Sequence, residues 1–200
     1  DGGTGLMQMG ALATRATASV LSDDNAHVVV GHNGGDGRLN LYGGTELTVR
    51  GNETTELTVG DGTGSTGSIT IDGTDGLPTP HRSTVSLIAD NADTDGSQIS
   101  VFIGRDGGTG TLNVNNGGVF EIVDNSTEAI LDSEDYAGSE YMAVGRDGGT
   151  GHMTVDNASI FRMTGGAPEF QIGRHGGTGT VLVDHGSSFM LTSVTDNDPD

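Results

Sequence analysis

The heptapeptide Gly-Arg-Asp-Gly-Gly-Thr-Gly occurs twice in this chain, as Gly104-Arg105-Asp106-Gly107-Gly108-Thr109-Gly110 and Gly145-Arg146-Asp147-Gly148-Gly149-Thr150-Gly151. A near-copy follows as Gly173-Arg174-His175-Gly176-Gly177-Thr178-Gly179. Looser versions stand at Gly31–Gly37 and around Gly60–Gly67, and Asp1–Gly5 reads as the tail of another. The last glycine of each, namely Gly5, Gly37, Gly67, Gly110, Gly151 and Gly179, gives spacings of 32, 30, 43, 41 and 28 residues. A unit recurring at this length marks a stacked repeat architecture, in which each unit buries its apolar face only against its neighbours.

Alignment on the marker glycine exposes apolar columns. Two residues after it stand Met7, Leu39, Ile69, Leu112, Met153 and Val181; four after it stand Met9, Leu41, Ile71, Val114, Val155 and Val183. The residues between are mostly polar, and apolar side chains at every second position describe a strand with one buried face. A second strand follows a short turn such as Asn115-Asn116-Gly117-Gly118, with Leu47, Phe120, Phe161 and Phe189 in one column and Val49, Ile122, Met163 and Leu191 in the next. A third strand leads into the next glycine motif, with the inward pairs Val28/Val30, Leu57/Val59, Val101/Ile103, Met142/Val144 and Phe170/Ile172.

Three one-sided strands per unit predict a coil of an all-β, right-handed parallel β-helix. Coils would stack about 4.8 Å apart, so that like side chains lie in files. About six coils are expected, forming one solenoid over residues 1–200. The glycine motif is predicted to turn a corner through conformations that a Cβ disfavours. The file Arg105, Arg146, Arg174 should then run beside Asp106, Asp147 and His175. The long intervals place insertions at Asp75–Gly96 and Asp124–Glu140, both read as lying between second and third strands. The second strand of the first repeat is hard to place, because Ala11–Val20 is rich in Ala and Thr.

Composition agrees. Aromatics are only 4% and Trp is absent, too few large side chains for an ordinary compact core of 200 residues. Gly numbers 36 with only 4 Pro, and the glycines cluster rather than spread, which excludes collagen and plain disorder. The formal charge is −20, from 28 carboxylates against 8 basic residues, every one an arginine. This leaves no basic face for nucleic acid. There is no cysteine and hence no disulfide framework, and no apolar run approaches the roughly 20 residues that span a bilayer. The chain shows no signal peptide and begins inside a repeat, so a section of a longer or polymerising protein is expected.

The stretch Gly-Gly-Thr-Gly-Thr-Leu-Asn-Val-Asn-Asn-Gly-Gly-Val-Phe-Glu-Ile, Gly107–Ile122, resembles the repeats of large secreted bacterial β-helix proteins such as autotransporter passenger domains and long surface adhesins. The resemblance covers Gly31 to Leu191 well and Asp1 to Val30 poorly. It implies an extracellular, elongated protein with a structural or adhesive role. The calcium-binding nonapeptide repeat G-G-x-G-x-D is a different pattern: where it needs Asp, this chain has Leu39, Leu112, Met153 and Val181.

The local metal signal is Asp90-Asn91-Ala92-Asp93-Thr94-Asp95-Gly96. Oxygen-bearing side chains at Asp90, Asn91, Asp93 and Asp95, followed by Gly, would suit a hard cation, with Ca²⁺ the candidate cofactor. The twelfth position counted from Asn91 is Phe102, so the bidentate Glu of an EF-hand is missing. Weaker acidic runs are Asp132–Asp135 and Asp196–Asp200. The six histidines show no H-x-x-H arrangement, and outward residues on successive coils (Glu121, Arg162, Met190) form no carboxylate pair, so no enzyme is expected. Three uses remain open: an adhesin stalk with surface glycans as partners, a filament built from copies of itself or adjoining repeats, and a polysaccharide-active β-helix or tailspike.

Overall fold

The computed structural model describes residues 3–10, 15–74, 81–90, 98–125 and 140–194. They form strands and turns with no helix, and so no helix long and apolar enough to cross a membrane. The first coil contains β1 (Thr4–Met9), β2 (Thr17–Ser22) and β3 (Asn25–His32); the second β4 (Asp36–Tyr42), β5 (Glu46–Gly51) and β6 (Thr54–Asp61); the third β7 (Thr66–Asp72), β8 (Thr84–Ala89) and β9 (Gln98–Arg105). The fourth holds β10 (Thr109–Asn115), β11 (Val119–Asp124) and β12 (Glu140–Arg146), the fifth β13 (Thr150–Val155), β14 (Ile160–Gly165) and β15 (Glu169–Arg174), and the sixth β16 (Thr178–Val183) and β17 (Ser188–Ser193).

Every third strand pairs, always in parallel. Sheet I is β1-β4-β7-β10-β13-β16, sheet II is β2-β5-β8-β11-β14-β17, and sheet III is β3-β6-β9-β12-β15. This is a right-handed parallel β-helix of about six coils. The marker glycines are in register along sheet I, Gly5 with Gly37, Gly67, Gly110, Gly151 and Gly179.

The core is the narrow space enclosed by the three sheets. Leu39, Ile69, Leu112 and Met153 line it from sheet I, Leu47, Val85, Phe120 and Phe161 from sheet II, and Leu57, Val101 and Met142 from sheet III. Phe161 stacks on Phe120 at 6.0 Å between ring centres and on Phe189 at 4.5 Å, with Phe170 edge-on at 5.8 Å. The apolar files stack as the repeat columns require.

Two expectations need correction. The interval Asp75–Gly96 is not one insertion between second and third strands. It contains β8, whose Val85 and Leu87 are the third coil's members of the two sheet II columns. That coil's extra residues therefore fall in two intervals of the sequence, between β7 and β8 and between β8 and β9, while Asp124–Glu140 does separate β11 from β12. The missing second strand of the first repeat is β2, with Ala18 opposite Leu47 and Val20 opposite Val49. Its small residues hid it because a strand at the end of the stack has less apolar surface to bury.

The corners are tighter than φ preference alone requires. In Arg105-Asp106-Gly107-Gly108 the amide of Gly108 donates to the Arg105 carbonyl at 2.9 Å, and Asp106 and Gly107 both have positive φ, 52° and 79°. That is a type I′ turn, for which Asp-Gly is a favoured central pair. Gly149 and Gly177 close the same turn in the next coils. Gly108 and Gly110 are not held by positive φ. A Cβ on Gly110 would run into the backbone of Gly104 and Val59, and one on Gly108 into Gly60, so these glycines are demanded by backbone-to-backbone contact.

Asn116-Gly117 and His185-Gly186 make equivalent turns between sheets I and II. His185 caps this corner, its Nδ1 2.6 Å from Asp156 Oδ1 on the coil below. The hydrogen bond to Asp156, then the charge of Asp184, raise its pKa above the usual imidazole value. A group whose folded pKa is raised stabilises the fold below its unfolded pKa of about 6.5 and loses that contribution as pH rises through the folded value. The melting temperature should therefore fall between slightly acidic and slightly alkaline pH, and Asp156→Asn should flatten the His185 part of that profile. A melting series at several pH values, compared with the variant, checks it.

Candidate functional site

The most elaborate side-chain assembly lies on the outer face of sheet III. Register places Arg105, Arg146 and Arg174 directly over one another, as the repeats predict, with Asp61 and His32 continuing the file on the earlier coils. Each arginine turns its Nε toward the residue that follows it: Arg105 to Asp106 at 3.0 Å, Arg146 to Asp147 at 2.8 Å, and Arg174 to His175 at 3.3 Å. Arg105 also meets Asp61 at 3.3 Å and Glu56 at 3.4 Å. His175 Nδ1 reaches back to Asp147 at 3.1 Å and His32 Nδ1 to Asp61 at 2.9 Å.

Beneath the guanidinium groups lies a second apolar cluster outside the barrel, formed by Phe102, Tyr141 and Ala143. Phe102 and Tyr141 are 3% and 1% exposed, so this outward face is as buried as the core. Arg105 and Arg146 stand 4.7 and 5.2 Å from the Phe102 ring centre, and Arg146 and Arg174 stand 5.5 and 5.8 Å from that of Tyr141. These are cation–π distances. The Tyr141 hydroxyl donates to Gln171 Oε1 at 3.0 Å and accepts from Arg174 Nη1 at 3.4 Å. The hydrogen bond that Arg174 donates to the Tyr141 hydroxyl raises the Arg174 pKa further. Sequence reasoning placed the arginine file and missed its aromatic floor. The signal was present: Ile99–Ile103 and Tyr141–Val144 are nearly continuous apolar runs rather than alternating ones, the mark of a strand covered on both faces.

Tyr141→Phe keeps the ring and removes both hydroxyl bonds. It should cost about 1 kcal/mol, read as a shift in the urea midpoint at unchanged slope.

Chemically the ladder is self-satisfied. Arg105 is paired with Glu56, Asp61 and Asp106 and Arg146 with Asp147, while Arg174 bonds to His175 and the Tyr141 hydroxyl, so the assembly meets most of its charge from within. Its work is to hold neighbouring coils in register. Other files do the same elsewhere. Glu121 on sheet II lies between the Ser86 hydroxyl and Arg162, whose Nε donates at 2.7 Å. Arg82 donates to the carbonyls of Gly117 and Ala158 at 3.1 and 3.2 Å, tying three coils at one corner.

Of the candidate calcium ligands, Asp90 is described, directly after β8. Its carboxylate pairs with Arg50 and accepts a hydrogen bond from Asn125 Nδ2 at 2.6 Å. Asn91, Asp93 and Asp95 lie outside the described residues, as do the acidic runs Asp132–Asp135 and Asp196–Asp200. Among the described residues no three His, Cys, Asp or Glu side chains gather as a metal group.

No family model, curated protein or solved structure matches this chain. What it can do is then read from its own geometry. That geometry consists of files of paired side chains on the flanks and, among the described residues, apolar side chains exposed in the first and last coils. Leu6, Met7 and Leu21 are exposed at one end, and Ile172, Val183, Met190 and Leu191 at the other.

Proposed function

We propose that this chain is a structural segment of an extracellular or cell-surface rod, with an adhesive or scaffolding rather than catalytic role. The observation that supports this reading is the coil-to-coil pairing of its outward charges: Glu121 with Arg162, Arg105 with Asp61, Arg50 with Asp90. Side chains committed to neighbouring coils stiffen a rod and leave few groups poised for chemistry. The glycine repeat and its likeness to secreted bacterial β-helix repeats support the location. A formal charge of −20 keeps such a rod soluble and keeps it apart from nucleic acid.

Negative-stain electron microscopy of the purified chain, with a glycan-binding screen and a glycan-turnover assay, tests this reading. Thin single rods without turnover are the expected result. Turnover of a polysaccharide would overturn it in favour of an enzymatic β-helix. Long fibres at low concentration would shift the role from stalk to self-assembling filament.

A further inference from the structure

Asparagine is a chemically fragile residue, most of all before glycine, whose bare Cα leaves the amide nitrogen open to attack the asparagine side chain. This chain holds two such pairs, Asn33-Gly34 and Asn116-Gly117, each the positive-φ centre of a corner turn. Their surroundings differ. Gly117 is buried, and its amide donates to two acceptors on the next coil, the Asn157 carbonyl at 2.9 Å and Ser159 Oγ at 3.2 Å. The Asn116 side chain is held from both sides: its Nδ2 donates to Asp72 at 2.6 Å, and its Oδ1 accepts from Asn157 Nδ2 at 3.3 Å.

Gly34 is exposed, and its amide has one acceptor, Ser65 Oγ at 2.9 Å. No hydrogen bond to a described residue holds the Asn33 side chain. The exposure belongs to this corner and not to its place in the stack, since Asp106 and Gly107, the matching pair two coils on, are exposed as well. Ser65 is only 2% exposed, and its hydroxyl donates to the Asp61 carbonyl at 2.7 Å while accepting from Gly34. It is thus fixed by its own coil and keeps the Gly34 amide engaged while the corner is closed.

We infer that Asn33 is a self-modification site, where water converts the asparagine to aspartate at a rate set by the Ser65 contact. The Gly34 nitrogen loses its proton to hydroxide and bonds to Cγ of Asn33. The side-chain nitrogen leaves as ammonia, and a five-membered imide closes across the pair. Hydroxide then adds to the former side-chain carbonyl, the new C–N bond breaks, and the Gly34 nitrogen takes back a proton. The sum is asparagine plus water giving aspartate plus ammonium, with no oxidant, metal or enzyme. The ring forms only when the corner opens, so the rate follows the local stability of that corner.

The product suits the place. In the repeat columns Asn33 aligns with Asp106 and Asp147, and His32 with Arg105 and Arg146. Asp106 and Asp147 have φ of 52° and 50° against 48° at Asn33, so an aspartate takes this corner without new strain. A carboxylate at position 33 would stand beside His32 as Asp106 stands beside Arg105. Hydrolysis at the other imide carbonyl gives isoaspartate, which lengthens the main chain by one carbon. The turn that the Gly35 amide closes on the His32 carbonyl at 3.0 Å would not survive that insertion. The converted fraction at Asn33 therefore records how long the folded chain has stood in water. The inference is independent of the role proposed for the rod.

The test keeps the purified chain at neutral and at mildly alkaline pH and follows its proteolytic peptides by chromatography and mass spectrometry, which separate asparagine, aspartate and isoaspartate. Asn33 should convert at least tenfold faster than Asn116, and faster at the higher pH. Ser65→Ala should speed conversion at Asn33 at least threefold and leave Asn116 unchanged. Asn116 is the internal gauge of unfolding, since general loosening frees both pairs together. Asn33→Asp should melt at or above the parent temperature. Equal rates at the two pairs, or no conversion at Asn33, would overturn the inference. So would a Ser65→Ala protein whose Asn33 rate is unchanged or rises only in step with Asn116, or a markedly lower melting temperature for Asn33→Asp.

Discussion

Gly151→Val should be among the most destabilising single substitutions in this chain, lowering the unfolding free energy by about 3 kcal/mol or more. The new side chain would be driven into the Ile103 carbonyl and the Gly145 amide, both backbone, both held in sheet ladders on two adjacent coils. Neither can swing aside as a flexible side chain would, so relief requires the ladders themselves to part. The control is Gly148→Ala in the same motif. Gly148 has nothing within 4 Å but a φ of 76°, so an alanine there meets only the left-handed backbone penalty of about 1–2 kcal/mol. Urea unfolding of the two variants separates the effects. Equal midpoints would mean that conformational preference, and not contact, governs the corner.

Phe161→Ala is the second large effect, expected at about 3–5 kcal/mol. Phe161 is fully buried at the centre of the aromatic file, stacked between Phe120 and Phe189 with Phe170 edge-on. Its removal opens a cavity and breaks ring contacts on both sides along the helix axis. Phe189 makes similar ring contacts but is only partly buried, in the last coil described. In a stack whose stability is a sum over neighbouring interfaces, a central residue couples two interfaces and a terminal one couples only one. Phe189→Ala should therefore cost markedly less than Phe161→Ala. Chemical denaturation of the pair gives the ratio, and comparable losses would argue against coil-by-coil additivity.

Most of the fold was legible because a parallel β-helix writes its geometry into the chain directly. Residues that stack in space recur at a fixed offset from each marker glycine, so Leu112 over Ile69 and Phe161 over Phe120 follow from alignment alone. Two strands were hidden for different reasons. β8 lay inside Asp75–Gly96, where flanking residues broke the spacing, and β2 began inside Ala11–Val20, where small and polar residues gave no clear apolar column.

The outer faces obey no such rule. The partnership of Arg105 with Asp61, 44 positions apart, and the burial of Phe102 and Tyr141 beneath the guanidiniums depend on side-chain directions that a repeat alignment does not carry. The sequence of the GRDGGTG motif specifies the turn, since Asp-Gly suits the paired positive φ of a type I′ corner. It does not say why Gly108 and Gly110 must be glycine. That reason is the backbone of an adjacent coil, brought close only when the stack has formed.

The chain by itself thus determined the period, the inward columns and the number of strands per turn, because each is a local alternation repeated. Only the tertiary structure decided which outward charges meet and which aromatics are covered from outside. Those depend on what lies one coil away, across roughly 30 to 40 residues of chain and about 4.8 Å of space.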